Sequence, residues 1–171
     1  MVNALVIDPV LRGRRHTAWC GRCSDIGVFP VFSGLGGYKN TLEFSGRENG
    51  PIPLGKYWVV NGPEGGIYSR FRTWQKQQKT GNKYGEWFAL YRQDGFIDDV
   101  TYIDGRRRGS FRLHPLRPDG SGVSDGCNTF CNRSDFYKFR SALLTTNTSK
   151  IHCSGLVAFG EVTVIGMPYA K

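Results

Sequence analysis

Two residues in a glycine-rich stretch have the chemistry of a nucleophile and its base. His114 ends an alternating run that is typical of a strand, and Cys127 follows Gly126 after a loop of Arg, Pro, Asp, Gly and Ser residues. A thiolate is a strong nucleophile, and a neighbouring imidazole can take its proton and return it to a leaving amine. A turn at Gly126 could aim backbone N–H groups at an oxyanion, which contributes roughly 3–4 kcal/mol per donor. The pattern therefore predicts a cysteine acyl-transfer site.

The alternative is that both residues are structural. A buried cysteine is often a small core residue, and a single histidine often has no catalytic role. Cys127, however, lies in a Ser-x-Gly-Cys sequence with Ser124, within a glycine-rich segment and not within an apolar run. That context favours chemistry, with Ser124 expected to fix the turn or touch His114.

Four further residues are candidates for contact with a substrate. Arg112 and Arg117 lie near His114 in sequence, and a guanidinium forms two parallel bonds to a carboxylate. Ordinary surface arginines are the alternative. Tyr57 could line a cleft, although aromatic residues in strands are more often core residues. Asp125, directly before the Gly-Cys pair, completes the candidate substrate-binding set.

The site motif resembles that of a known family. His114, Ser124, Gly126 and Cys127 are similar to the His…Ser/Thr-x-Gly-Cys motif of L,D-transpeptidases. Many members carry His where this chain has Asp125, so the two differ immediately before the Gly-Cys pair.

A second, separate segment carries the same resemblance. Residues 44–46 (FSG) and 50–58 (GPIPLGKYW) are similar to a segment of a compact subgroup, the L,D-transpeptidase-like effectors of bacterial type VI secretion. In that subgroup the segment shapes the entrance to the site. Members of the wider family often carry Arg two places after the cysteine, where this chain has Thr129. The resemblance covers roughly residues 28–165.

The resemblance implies remodelling of peptidoglycan tetrapeptide stems. Cys127 would attack the carbonyl of the third residue, meso-diaminopimelate, and His114 would protonate the departing D-alanine. Water would then hydrolyse the thioester (L,D-carboxypeptidase), a D-amino acid would exchange, or a neighbouring stem would form a 3–3 cross-link. Trimming and exchange rank above cross-linking because the similar proteins are secreted toxins. No cofactor or metal is implied.

Length and composition predict one mainly β domain. The 171 residues include 23 glycines and 8 prolines, which favour many short strands and turns in a sandwich or barrel-like sheet with one helix. Residues 1–27 are expected to pack on this single domain of residues 1–171 as a strand and loop. We find no apolar run of transmembrane length and no signal peptide, so we expect synthesis in the cytoplasm and, by the resemblance, secretion into the periplasm of a target bacterium.

The net charge of +9 favours acidic partners. An acidic immunity protein is one such partner, while no nucleic-acid-binding signature is apparent. The resemblance adds the type VI secretion machinery as a partner. The triplet Arg106–Arg108 follows Asp104-Gly105 and is interpreted as a solvated hairpin tip.

Five cysteines allow one reactive thiol and two disulfides. Cys20 with Cys23, and Cys131 with Cys153, are the hypothesised pairs. A zinc site that includes Cys20, Cys23 and His16 is the less favoured alternative.

Periodicity predicts the remaining elements. A helix over 134–145 would start at Ser134 and carry a stripe of Phe136, Phe139, Leu143 and Leu144. The predicted strands are 1–11, broken by Pro9, then 28–33, 40–44, 57–60, 110–114, 156–159 and 161–165, while 16–23 is predicted to be a strand or loop. Residues 87–92 and 96–103 are predicted to form a hairpin across Gln93-Asp94-Gly95. Trp19 is predicted to be a core residue.

Two other classes of protein remain open. A papain-like cysteine peptidase or amidase of the cell wall usually places Cys before His, whereas His114 precedes Cys127 here. A basic, non-enzymatic binding module would keep its function when Cys127 is replaced by Ala.

Overall fold

The structure, a computed structural model, describes residues 3–12, 16–24, 26–62, 83–120, 124 and 126–166. The strands are β1 (Asn3–Arg12), β2 (His16–Cys23), β3 (Gly27–Ser33), β4 (Gly55–Asn61), β5 (Phe88–Arg92), β6 (Val100–Ile103), β7 (Arg106–Gly109), β8 (Arg112–Pro115), β9 (Asn128–Phe130), β10 (Ser149–Lys150) and β11 (Val157–Val164). In the described residues the α-helix is α1 (Arg133–Leu144), and three 3-10 turns cover Gly36–Tyr38, Leu42–Phe44 and Tyr84–Glu86.

Eight strands close into a barrel. Their order is β1-β2-β3-β9-β8-β5-β4-β11, and β11 pairs in parallel with β1 to complete the ring. β10 pairs with the start of β11, and β6 and β7 form a separate hairpin. The mainly β fold class with one described helix is therefore confirmed. β1 and β2, from the segment expected to pack on the domain, are two of the barrel strands.

The core is aromatic, and α1 contributes to it. Phe136, Phe139 and Leu143 are buried, which confirms three members of the predicted stripe, whereas Leu144 is exposed. The ring of Phe139 contacts those of three strand residues: Phe29, Phe88 and Phe130. Trp19 is buried as predicted. The helix begins one residue earlier than predicted, and Asn132 is its N-cap.

Four sequence predictions about strands are wrong. Residues 40–44 contain the 3-10 turn Leu42–Phe44 and no strand, and the predicted strands 156–159 and 161–165 are one strand, β11. β1 continues through Pro9, which is paired with Trp19 of β2. The parallel pairing of β1 with β11 ends at Ile7, so the missing N–H of Pro9 interrupts no hydrogen bond to β11. The hairpin across Gln93-Asp94-Gly95 does not form, because both edges of β5 are taken by β4 and β8. β6 pairs instead with β7 across Asp104-Gly105, whose φ angles of 49° and 73° suit a tight hairpin turn.

All five cysteines lie among the described residues, and none forms a disulfide. The first hypothesised pair is excluded by geometry. Cys20 and Cys23 are three residues apart on β2, so their side chains face opposite sides of the strand and their Cα atoms are about 10 Å apart, too far for a bridge. Among the described residues no group of three or more His, Cys, Asp or Glu side chains could hold a metal ion.

In the described part of the chain, no helix has both the length and the apolar character needed to cross a bilayer.

Candidate active site

Two adjacent parallel strands position the candidate nucleophile and base. β8 carries His114, and β9 begins directly after Cys127, with His114 paired to Thr129. Side chains alternate along a strand, so Arg112 and His114 share one face of β8 while Leu113 faces the core. Continuing the register by one residue places Cys127 beside Arg112. The fold therefore joins the two ends of the loop that the sequence singled out.

The ring of His114 is held on both nitrogens and on one face. Nδ1 lies 2.9 Å from the backbone oxygen of Pro115, Nε2 lies 3.2 Å from the hydroxyl of Thr129, and Trp87 stacks on the ring at a centroid distance of 4.2 Å. A carbonyl oxygen can only accept a hydrogen bond, so Nδ1 carries the proton and donates it to Pro115. Nε2 is then the basic nitrogen, which accepts from Thr129. The group that orients His114, undecided from sequence, is the carbonyl of the next residue.

His114 is neutral at physiological pH. Only 4% of the residue is exposed, and this burial lowers the pKa of His114 to about 4. The hydrogen bond to Pro115 acts in the opposite direction, and the positive charge of Arg117 lowers the pKa further. A resting ion pair between imidazolium and thiolate is consequently disfavoured at this site.

The low pKa of His114 predicts a loss of stability in acid. Between its ordinary pKa of 6.5 and the folded value of about 4, only the unfolded chain binds the proton. We expect this group to reduce the free energy of unfolding by about 3 kcal/mol between pH 7 and pH 4. Urea unfolding of the wild type and of His114→Gln between pH 7 and pH 4 measures this loss of stability. Because Gln does not titrate, the variant should lack the contribution of His114. Equal pH slopes in the two proteins would contradict the prediction.

Cys127 follows a tight, buried turn. Gly126 has φ +94°, a conformation that favours glycine, and its carbonyl accepts a hydrogen bond from the Ser33 hydroxyl at 3.3 Å. Ser124 is buried and its hydroxyl donates to the backbone oxygen of Cys127. Ser124 therefore fixes the turn. The thiol of Cys127 is half-buried and lies 3.7 Å from the backbone oxygen of Ser110.

The Gly-Pro-Ile-Pro segment lies directly against this turn. The amide of Ile52 donates to the Ser33 hydroxyl at 2.8 Å, and the same hydroxyl reaches Gly126. Residues 50–53 are buried. The segment thus supports the turn indirectly, through the hydroxyl of Ser33. Its described contacts are those of a scaffold for the Cys127 turn.

Arg108, interpreted from sequence as part of a solvated tip, is a buried residue of the site. It is 5% exposed, and its guanidinium donates to the backbone oxygens of Ser45 and Gly50, the latter at 3.0 Å. It also lies over the ring of Phe111, 5.3 Å from the centroid. Arg106 and Arg107 are exposed as predicted. The sequence signal available was strand alternation, which places Arg107 and Arg108 on opposite faces of β7.

Arg112 has a different role from either prediction. Its two terminal nitrogens donate to the two carboxylate oxygens of Asp99 at 2.7 and 2.6 Å, and it also donates to the oxygen of Phe111. A fork already filled by a carboxylate cannot grip a second one with both nitrogens. Arg112 is therefore not placed to bind a substrate carboxylate through both terminal nitrogens, and it is not an ordinary surface arginine either.

The other three substrate candidates differ in access. Arg117 is half-buried, forms no side-chain ion pair among the described residues, and its charge acts on His114. Tyr57 is 0% exposed, and its hydroxyl donates to the backbone oxygen of Pro53 at 2.7 Å. Tyr57 therefore does not line a cleft, so that prediction is wrong, and it is a core residue, as the alternative held. Asp125 lies outside the described residues.

The chain matches one known family model over most of its length. The fold is a mainly β barrel, and in it the strand that carries His114, β8, pairs in parallel with β9, the strand that follows the Gly-Cys turn. The family model described as the Tlde1 domain matches residues 27–154, and the chain therefore belongs to the Tlde1 domain family of type VI secretion effectors. No curated protein shows significant similarity to the chain.

Proposed function

We propose that this effector is a peptidoglycan-modifying cysteine enzyme that acts on tetrapeptide stems as an L,D-carboxypeptidase or L,D-transpeptidase. The observation that carries the proposal is the tautomer of His114. Because Nδ1 donates to Pro115, Nε2 is the basic nitrogen, and it lies on the strand adjacent to the one that follows Cys127, where it accepts from the Thr129 hydroxyl. Membership of a type VI effector family supports an antibacterial use of this chemistry, with the secretion machinery and an immunity protein as partners.

The reaction begins with transfer of the thiol proton of Cys127 to Nε2 of His114. The Thr129 hydroxyl, which donates to Nε2 in the resting protein, must first release that nitrogen. The sulfur attacks the carbonyl of meso-diaminopimelate, and backbone N–H groups at the Gly126 turn stabilise the oxyanion. The proton held on Nε2 passes to the amine of D-alanine as the peptide bond breaks. Water, a D-amino acid or a second stem then resolves the thioester.

Arg117 is the best candidate for the carboxylate end of the substrate. The D-alanine that leaves carries a free carboxylate, and an arginine that forms no ion pair among the described residues can bind it through two parallel bonds. Arg117 lies three residues beyond His114 and acts electrostatically on it. A carboxylate bound there would place the departing amine near the imidazole.

The decisive experiment incubates the purified protein with tetrapeptide muropeptides and follows products by mass spectrometry. We expect release of D-alanine, and incorporation when a labelled D-amino acid is supplied. Unchanged muropeptide masses would refute the proposal. Cleavage of the amide bond between glycan and peptide, or of another peptide bond in the stem, would favour the papain-like peptidase or amidase instead.

The target compartment gives an independent prediction. We expect expression in the cytoplasm of a bacterium to be tolerated, and export to the periplasm with a signal peptide to cause lysis or loss of shape, because tetrapeptide stems are accessible there. Colony counts after induction measure the difference. Equal harm in both compartments would favour the binding module, whose target would not be the cell wall.

A further inference from the structure

Arg108 is a buried cation whose hydrogen-bond partners among the described residues are uncharged. Its guanidinium contacts two backbone oxygens, and no described carboxylate forms an ion pair with it. Arg112 provides the contrast, since Asp99 neutralises it through two short bonds. Burial of a charge is costly unless an opposite charge compensates it. A negatively charged group near Arg108 would therefore stabilise its buried charge.

Cys127 is the group best placed to supply that negative charge. The terminal nitrogen Nη2 of Arg108 lies 2.4 Å from the position that a Cβ atom on Gly126 would occupy, so it touches the turn directly before the cysteine. The thiol itself reaches back to the oxygen of Ser110, two residues beyond Arg108. Arg108 thus contacts the residue directly before Cys127, and its charge interacts with that of the cysteine.

The charged and titratable groups around the pair support this assignment. Burial lowers the pKa of Arg108, and Tyr57, Cys127 and Glu48 act, in that order, in the opposite direction. Tyr57 is itself buried, and burial raises its pKa, which keeps it neutral. Glu48 is exposed. On β8, Arg112 also interacts electrostatically with Cys127, but Asp99 neutralises it through two short bonds, and His114 is neutral.

We propose that Arg108 is a positioning residue that stabilises negative charge on the sulfur of Cys127. The site needs such a cation. The pKa of an ordinary thiol is about 8.5, so transfer of its proton to an imidazole whose pKa is about 4 is unfavourable by roughly 10⁴-fold. A cation beside the sulfur reduces that factor, whereas a neutral imidazole adds no charge. The inference concerns the nucleophile of the proposed function but does not require the proposed substrate.

The test measures the pH dependence of iodoacetamide alkylation at Cys127, quantified on the peptide that contains it. In the wild type we expect a midpoint below the value of about 8.5 of a free cysteine. In Arg108→Met the midpoint should rise by about one to three pH units. Arg107→Met, which removes the exposed arginine next in sequence, should leave it unchanged. His114→Ala, which removes a neutral ring, should shift it by less than Arg108→Met. Arg108→Lys should recover part of the shift.

Each outcome decides the inference. A wild-type midpoint at or above 8.5 overturns it, and this measurement needs no variant to fold. Arg108→Met with the wild-type midpoint, Lys and Met variants that behave alike, or a rise in His114→Ala as large as in Arg108→Met also overturn it. A low midpoint that depends on Arg108, in a protein that releases no D-alanine, would leave this inference standing while the proposed function fails.

Discussion

Cys127→Ala is expected to release D-alanine from tetrapeptide muropeptides at least about 10³-fold more slowly than the wild type, and to form no acyl-enzyme. The reason is that the sulfur is the attacking atom, and none of the neighbouring side chains that the structure describes can replace it. Ser124 is buried with its hydroxyl donated to a backbone oxygen, so it cannot act as a substitute nucleophile. The stability should change by less than about 1 kcal/mol, because the half-buried thiol is small.

Cys131→Ala is the matched control for this prediction. Cys131 is a half-buried cysteine directly after β9, outside the described site contacts of His114 and Cys127. We expect it to keep the wild-type rate of D-alanine release and to form a thioester adduct, visible by intact-protein mass spectrometry. Activity retained by Cys127→Ala, or lost in Cys131→Ala, would assign the nucleophile elsewhere.

Gly126→Ala is expected to destabilise the protein by about 3 kcal/mol and to reduce D-alanine release strongly. Two effects combine. The residue has φ +94°, which strains an L side chain, and the new Cβ would lie 2.4 Å from Nη2 of Arg108 and 3.3 Å from the oxygen of Gly50. Arg108 could yield only by breaking its bonds to Ser45 and Gly50, so the turn and its cation would be displaced together.

Gly120→Ala separates the two effects. Gly120 has φ +77°, and a Cβ built there meets nothing within 4 Å. Its cost should be the backbone strain alone, about 1 kcal/mol. Urea unfolding of both variants gives the difference, and alkylation of Cys127 should shift to higher pH only in Gly126→Ala. Equal destabilisation by the two substitutions would mean that the contact with Arg108 is unimportant.

Some features of this protein follow from local sequence. Alternation predicted the strand of His114, although β8 begins at Arg112 and includes Pro115, which was expected to end it. The apolar spacing after the cysteine predicted α1 to within one residue at each end. A Gly-Cys pair within a glycine-rich stretch predicted a turn that needs glycine, and Gly126 has the expected positive φ. These features depend on neighbours a few residues apart, so the pattern contains the information.

Only the tertiary structure decided the surroundings of the two reactive side chains. Arg108 occurs among charged residues and resembles a solvated arginine, yet its partners lie 63 and 58 residues away at Ser45 and Gly50. Likewise, Asp99 claims Arg112, and Thr129 reaches Nε2 of His114 because β8 and β9 pair in parallel. Local patterns indicate which residues can form a strand, but the pairing of strands distant in sequence determines which polar groups are buried together around His114 and Cys127.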